Sequence, residues 1–147
     1  MSNQDIKIQF KSIELLSKSM TPMPTNEFAG EAFEFDINAD LRVSPQQKLI
    51  LVISNINIRE FRKELVLASI SVGCAFELEN FQDIVTMKDE NYIIPPHADT
   101  LIKAMSLSTI RGVMFSEFRG TYLHGAVLPI LILPQVKREE VLEESAR

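Results

Sequence analysis

FEFDINADL, Phe33 to Leu41, carries the decision about the fold. Phe33, Phe35, Ile37, Ala39 and Leu41 alternate with Glu34, Asp36, Asn38 and Asp40, a period of two. A strand with this rhythm turns one face to a core and the other to water, which favours an antiparallel sheet. Downstream, Pro45 and the two glutamines after it mark a turn. Leu49 to Ile58 is then almost continuously aliphatic, as a central strand would be. A further alternating run sets Val66, Ala68, Ile70, Val72, Cys74, Phe76 and Leu78 against Ser69, Ser71, Gly73, Ala75, Glu77 and Glu79.

Upstream, Thr21 to Gly30 is a loop with two prolines, Pro22 and Pro24. Before it the apolar phase changes. Ile6, Ile8 and Phe10 share one face of a regular strand, and Ile13 and Leu15 share the other. One core face can hold both sets only if the strand bulges near Lys11 and Ser12.

A different pattern follows the strands. Pro95 and Pro96 suit a first helical turn, and Asp99 brings negative charge to the positive end of the helix dipole. Onward to about Phe118 there is no proline, so one long helix is expected. Thr100, Ala104, Ser108, Gly112 and Ser116 recur every four residues along it, a stripe of small side chains. Such a stripe admits close approach of another backbone. It either rests on the sheet or forms an oligomer contact with a helix of a second copy. Beyond Gly120 the run TYLHGAVLPILILPQ is apolar and is expected to cross the core as an extended segment. The charged tail 137–147 reads as a frayed end or a charged helix. With no internal repeat, residues 1–147 form one α+β domain.

The 147 residues suffice for a real core, at 46% hydrophobic and 24% charged. Nine Phe and six Met without Trp lean toward adaptable apolar surface. A net charge of −5 argues against nucleic acid, which demands a basic face. The single cysteine, Cys74, can form neither an internal disulfide nor a thiolate metal cluster, which suits a reducing compartment. The N-terminus lacks the form of a secretory signal, and the apolar stretch Val127 to Leu133 is too short to insert in a bilayer. A cytoplasmic protein is expected.

Chemistry-bearing motifs are missing. There is no phosphate-binding glycine loop, no HExxH and no GxSxG. His97 and His124 read as capping or packing residues, and Cys74 reads as a core thiol on the apolar face of its strand. Arg111 and Arg119, each before a glycine, read as arginines that satisfy carbonyls or pair with an acid. The expectation is a binding protein, with no catalytic residue, metal or cofactor.

IIPPHADTLIKAMSLSTIRG (Ile93 to Gly112) and FRGTYLHGAVLPILI (Phe118 to Ile132) resemble the SecB family of export chaperones. That family has a proline-started helix, an SRGTF-like turn and a short apolar segment ending in proline; FRGTY at Phe118 to Tyr122 is similar to the turn, and IRGVM at Ile110 to Met114 competes for the role. The resemblance implies a four-stranded antiparallel sheet with one long helix and a short C-terminal helix on one face. It implies a homodimer or homotetramer in which helices of different subunits pack between outer sheets. It also implies an ATP-independent holdase for unfolded polypeptides, with the SecA translocation motor as a further partner. Met20, Met23, Phe28, Phe33, Phe35, Ile58 and Phe61 are the groove residues it suggests, with core packing the alternative for each. The helix stripe of Thr100, Ala104, Ser108, Gly112 and Ser116 is its oligomer interface.

The chain departs from the family where the motor docks. Aligning Gly73 with the family's glycine puts Ser69 where an acid is expected, and the region near Leu16 and Met20 lacks two further acids. Only residues after Gln135 are left for a second helix. SecB-like proteins tied to toxin–antitoxin modules fit such a pattern, so a chaperone or adaptor dedicated to one partner such as an antitoxin is the alternative. A structural oligomeric subunit without holdase activity is a further one.

Overall fold

The structure is a computed structural model that describes residues 6–24 and 32–130. Phe28, the tail 137–147 and the expected short C-terminal helix lie outside the described residues. Four long strands, β1 (Ile8–Met20), β2 (Phe33–Ser44), β3 (Leu49–Glu60) and β4 (Val66–Leu78), form one sheet in the order β1-β4-β3-β2. Every pairing is antiparallel. The alternating β2 thus lies at one edge, and the nearly continuous aliphatic β3 is central, as its composition demands. Between them the chain turns at Pro45 to Lys48, where Lys48 takes a left-handed φ of 58°.

Alternation gives the sheet an apolar inner face and a mixed outer face. Ile50, Val52, Ile56 and Ile58 of β3 and Ile70, Val72, Cys74 and Phe76 of β4 are all fully buried on the inner side. The first strand bulges where its phase demanded. Its register with β4 shifts between Phe10 and Ser12, bringing Phe10, Ile13 and Leu15 onto the inner side opposite Phe76, Cys74 and Val72. A second shift, between Leu15 and Ser17, frees Leu16 to lie over Gly73 on the outer side. A β-carbon at Gly73 would stand 3.3 Å from Leu16 Cδ1, so the glycine makes room for that side chain. Nearby, Ser69 Oγ donates to Asn57 Oδ1 at 2.6 Å, and Ser71 Oγ donates to Asn55 Oδ1.

After a single helical turn, α1 (Phe81–Ile84), the chain makes a small hairpin of β5 (Thr86–Lys88) and β6 (Asn91–Ile93), with Asp89 and Glu90 both at positive φ in its turn. The long helix α2 (Pro96–Glu117) follows. It begins behind Pro95 with Pro96 in its first turn, and Asp99 pairs with Lys103 one turn on at 3.4 Å. Gly120, at φ 79°, follows its end.

The helix lies on β3 and β4. Ala98, Ile102, Ser106, Ile110 and Met114 are its buried face, and together with the β3 and β4 side chains they form the core. The small-residue stripe stands two positions further round, about 200° away. Ser108, Gly112 and Ser116 are exposed and Thr100 and Ala104 half-buried, so the stripe does not rest on the sheet. The segment after Gly120 also departs from expectation. Ala126 and Leu128 are buried while Val127, Pro129 and Ile130 are exposed, so this stretch runs along the surface with one edge inward instead of crossing the core.

Candidate functional site

Among the described residues α2 is the one long helix, and it is too narrow to cover four strands. Because α2 sits over the central pair, the inner faces of the two edge strands are left as apolar ledges. On the β1 side the ledge is open: Ile13 is 48% exposed, Leu15 43% and Met20 41%, with Phe10 similar and tilted against Phe76 at a ring separation of 4.7 Å. On the β2 side Phe33, Phe35, Ile37, Ala39, Leu41 and Val43 are half-buried and pack at the margin of the core. Single exposed apolar residues are ordinary, but a row of them on one face marks a surface built to be covered.

Polar ties hold the β1 ledge in place. Lys18, on the inner side of β1, reaches α2 and pairs with Glu117 at 3.0 Å, its ammonium 6.0 Å from the Phe118 ring centre. At the end of β1, the Thr21 N–H donates to Leu67 O at 2.8 Å and the Thr21 hydroxyl donates to Val66 O at 3.0 Å. The Tyr122 hydroxyl in turn donates to Thr21 O at 2.5 Å, joining the turn after α2 to the point where the chain leaves the sheet. Burial pushes the Tyr122 phenol above its ordinary pKa, so it stays a donor.

The expected groove residues separate into three groups. Met20 and Met23 are well exposed, as is Phe61, which carries the Arg62 guanidinium 5.0 Å from its ring centre. Phe33 and Phe35 are half-buried on the β2 ledge. Ile58 is corrected: at 0% exposure it belongs to the core, because β3 is central and α2 lies above it, so it supports the ledge from behind. Phe10, Ile13 and Leu15 were missed as surface residues. Their apolar rhythm was legible, but nothing local to β1 tells that the helix lies over other strands.

A second apolar feature lies on the far side of α2. Ser108, Arg111, Gly112, Phe115, Ala126 and Val127 line a hollow of about 380 Å³. Arg111 builds its wall: Nε donates to Leu128 O at 2.6 Å and an NH2 donates to Pro129 O at 2.8 Å, strapping the extended segment to the helix. The arginine does satisfy carbonyls, although they belong to residues 17 and 18 positions away and not to its own helix end. The Phe115 ring, half exposed, tilts against His124 at 5.4 Å. At Gly112 an added β-carbon would meet nothing within 4 Å.

Little of this is arranged for bond chemistry. His97 and His124 lie at opposite ends of α2. Cys74 is buried in the core, and burial raises its thiol pKa against the lowering effect of a hydrogen bond with Ser106. Among the described residues no group of three or more His, Cys, Asp or Glu could hold a metal ion. Among them also no helix is long and apolar enough to cross a membrane.

No protein-family model matches the sequence, and no curated protein does. Among solved structures the chain is similar to a Mycobacterium tuberculosis SecB-like chaperone, solved in complex with a ChAD peptide from the HigA1 antitoxin. Identity is 16% and the TM-score 0.61, over 85% of this chain and 91% of that one. The architecture described above is therefore a SecB-like α+β fold.

Proposed function

We propose that this SecB-like fold serves as an ATP-independent molecular chaperone that holds non-native polypeptides on its apolar ledges. One observation carries the reading: the inner face of β1 keeps Phe10, Ile13, Leu15 and Met20 on the surface beside a well-packed core. Unfolded chains share exposed apolar side chains and backbone groups, not a common sequence, and a continuous apolar ledge suits such a ligand. Met20, Met23, Phe33, Phe35 and Phe61 are the client contacts in this proposal. The stripe of Thr100, Ala104, Ser108, Gly112 and Ser116 joins copies into a homodimer or homotetramer, supported by its position on the outward face of α2. The cytoplasm is the compartment.

A second reading narrows the client to one dedicated partner, and two observations favour it. The similar Mycobacterium tuberculosis protein was solved with an antitoxin peptide. Ser69 stands where motor docking calls for an acid, and it is tied to the uncharged Asn57, which weighs against delivery to SecA.

The deciding experiment follows light scattering of several chemically denatured proteins diluted into buffer with this protein at near-stoichiometric ratio and no nucleotide. Suppressed aggregation of unrelated clients supports the general holdase. Protection of one client alone supports the dedicated form. A folded protein that protects none sinks both.

A further inference from the structure

The five methionines among the described residues fall into two sets. Met105 and Met114 belong to the core, Met114 only 1% exposed and Met105 packed at its margin. Met20, Met23 and Met87 lie outside it, exposed at 41%, 52% and 60%. Thioethers are open to mild oxidation, and access to solvent decides which of them react. The single cysteine offers no competing target. Cys74 is 1% exposed, and burial keeps its thiol in the protonated, unreactive form.

Two of the three exposed methionines stand close in sequence at one end of the β1 ledge. Met20 closes the inner row after Phe10, Ile13 and Leu15, hydrocarbon side chains that a dilute peroxide leaves alone. Met23 follows three residues on, between Pro22 and Pro24. The backbone beside Met20 is fixed without help from its side chain. The Thr21 N–H donates to Leu67 O at 2.8 Å, and Thr21 O accepts from the Tyr122 hydroxyl. A polar group added to Met20 or Met23 therefore alters the surface of the ledge and takes no side chain out of the core. Met87 lies elsewhere, opposite Tyr92 in the β5–β6 hairpin.

We propose that Met20 and Met23 form an oxidation site through which a peroxide weakens the hold of the ledge on its clients. The sulfur lone pair attacks one oxygen of hydrogen peroxide, the O–O bond breaks and an S–O bond forms. Each sulfur gives up two electrons, and the departing hydroxide takes the proton of the transferred oxygen and leaves as water. The product sulfoxide is polar and chiral, and the apolar side chain of a client offers its oxygen no hydrogen bond. Sulfoxide reductases reverse the step, with a dithiol supplying the two electrons and the oxygen leaving as water. Phe10, Ile13 and Leu15 are untouched, so holding falls without vanishing. The inference deepens the chaperone reading by giving the same ledge a regulation, and it rests on that reading.

The test treats the full-length protein with hydrogen peroxide, maps the added oxygens by peptide mass spectrometry and follows client aggregation by light scattering. Met20, Met23 and Met87 are expected to oxidise about tenfold faster than Met114, and client protection should fall about threefold as Met20 and Met23 convert. The denaturant midpoint should stay that of the untreated protein, since the core keeps its side chains. A double variant, Met20→Leu with Met23→Leu, conserves volume and should keep its protection through the same treatment. Met87→Leu should lose protection as the native chain does. Sulfoxide reductases for both epimers should restore it. The proposal is overturned by full protection with Met20 and Met23 oxidised, by an equal loss in the double variant, or by a loss that follows Met114 and a fallen midpoint. Protection that is present before treatment and survives it ends the regulation alone. An untreated protein that protects no client ends the chaperone reading and this regulation with it.

Discussion

Arg59 holds two acids across the outer face of the sheet. Its Nε and NH2 meet both oxygens of Asp36 at 3.0 and 2.9 Å, and NH1 meets Glu34 at 3.1 Å. The hydrogen bond from Arg59 is the main cause holding the Asp36 carboxyl below the ordinary aspartate range; desolvation opposes it and the guanidinium charge adds to it. A folded-state pKa lowered in this way contributes stability above the unfolded value, about 3.9, and that stability is lost as pH falls through the folded value. Neutral and mildly acidic solutions are therefore equivalent for this pair. Replacing Arg59 with Gln removes that hydrogen bond and should move the Asp36 titration, followed by carbon NMR of the carboxyl, upward. An unmoved titration would show that the ion pair does not form in solution. Ser54 is the opposite case: it is buried on the inner face of β3, and its hydroxyl finds no partner among the described residues. Ser54→Ala removes that unsatisfied group and should raise the unfolding free energy by about 1 kcal/mol, seen as a higher denaturant midpoint at unchanged slope. A lower midpoint would mean that the hydroxyl is satisfied in the working protein.

Among the elements, legibility tracked how local the cause was. The alternation of Phe33 to Leu41, the turn at Pro45 and the start of α2 at Pro95 and Pro96 are written in adjacent residues, and the structure places them as read. The bulge near Lys11 was legible too, because a phase change within one strand is itself a local contradiction. The β5–β6 hairpin was not, since three-residue strands show too little period and its turn uses Asp89 and Glu90 where glycine would have signalled it. Equally hidden were pairings set by tertiary packing, such as Tyr122 with Thr21 or Arg111 with Leu128. The small-residue stripe was visible, but its two readings needed the helix's buried face to be known, and that face excludes the sheet. Gly112→Ala now separates solvent from a partner helix. With nothing within 4 Å of the new methyl in one chain, helix propensity alone should stabilise the fold by about 1 kcal/mol. Where a second helix crosses at Gly112, the same methyl intrudes, and light scattering across a dilution series should show weaker assembly. A gain in stability with unchanged assembly would remove Gly112 from the interface.

At the scale of the whole molecule, the central question is why a chain able to bury Ile50, Ile56 and Phe76 completely leaves Ile13 and Leu15 nearly half exposed. Full burial of such a side chain contributes about 1.5–3 kcal/mol, so half of that contribution is forgone at each position. Among the described residues one long helix lies over the middle of the four-stranded sheet and leaves this ledge uncovered, so the forgone stabilisation becomes available to whatever covers it. The double substitution Ile13→Ser and Leu15→Ser should therefore cost at most about 2–3 kcal/mol of stability, whereas Ile56→Ser alone should cost at least about 3 kcal/mol by leaving a polar group and a void in the core. The double variant should also lose several-fold in its capacity to suppress client aggregation. Solution mass decides what the ledge is for. If the double variant keeps the mass of the native protein and loses protection, the ledge is a client surface. If its mass falls in step with its protection, the ledge joins copies and clients bind elsewhere. Retention of both properties would leave Phe10 to Met20 without a role in binding, and the chaperone reading would lose the observation it stands on.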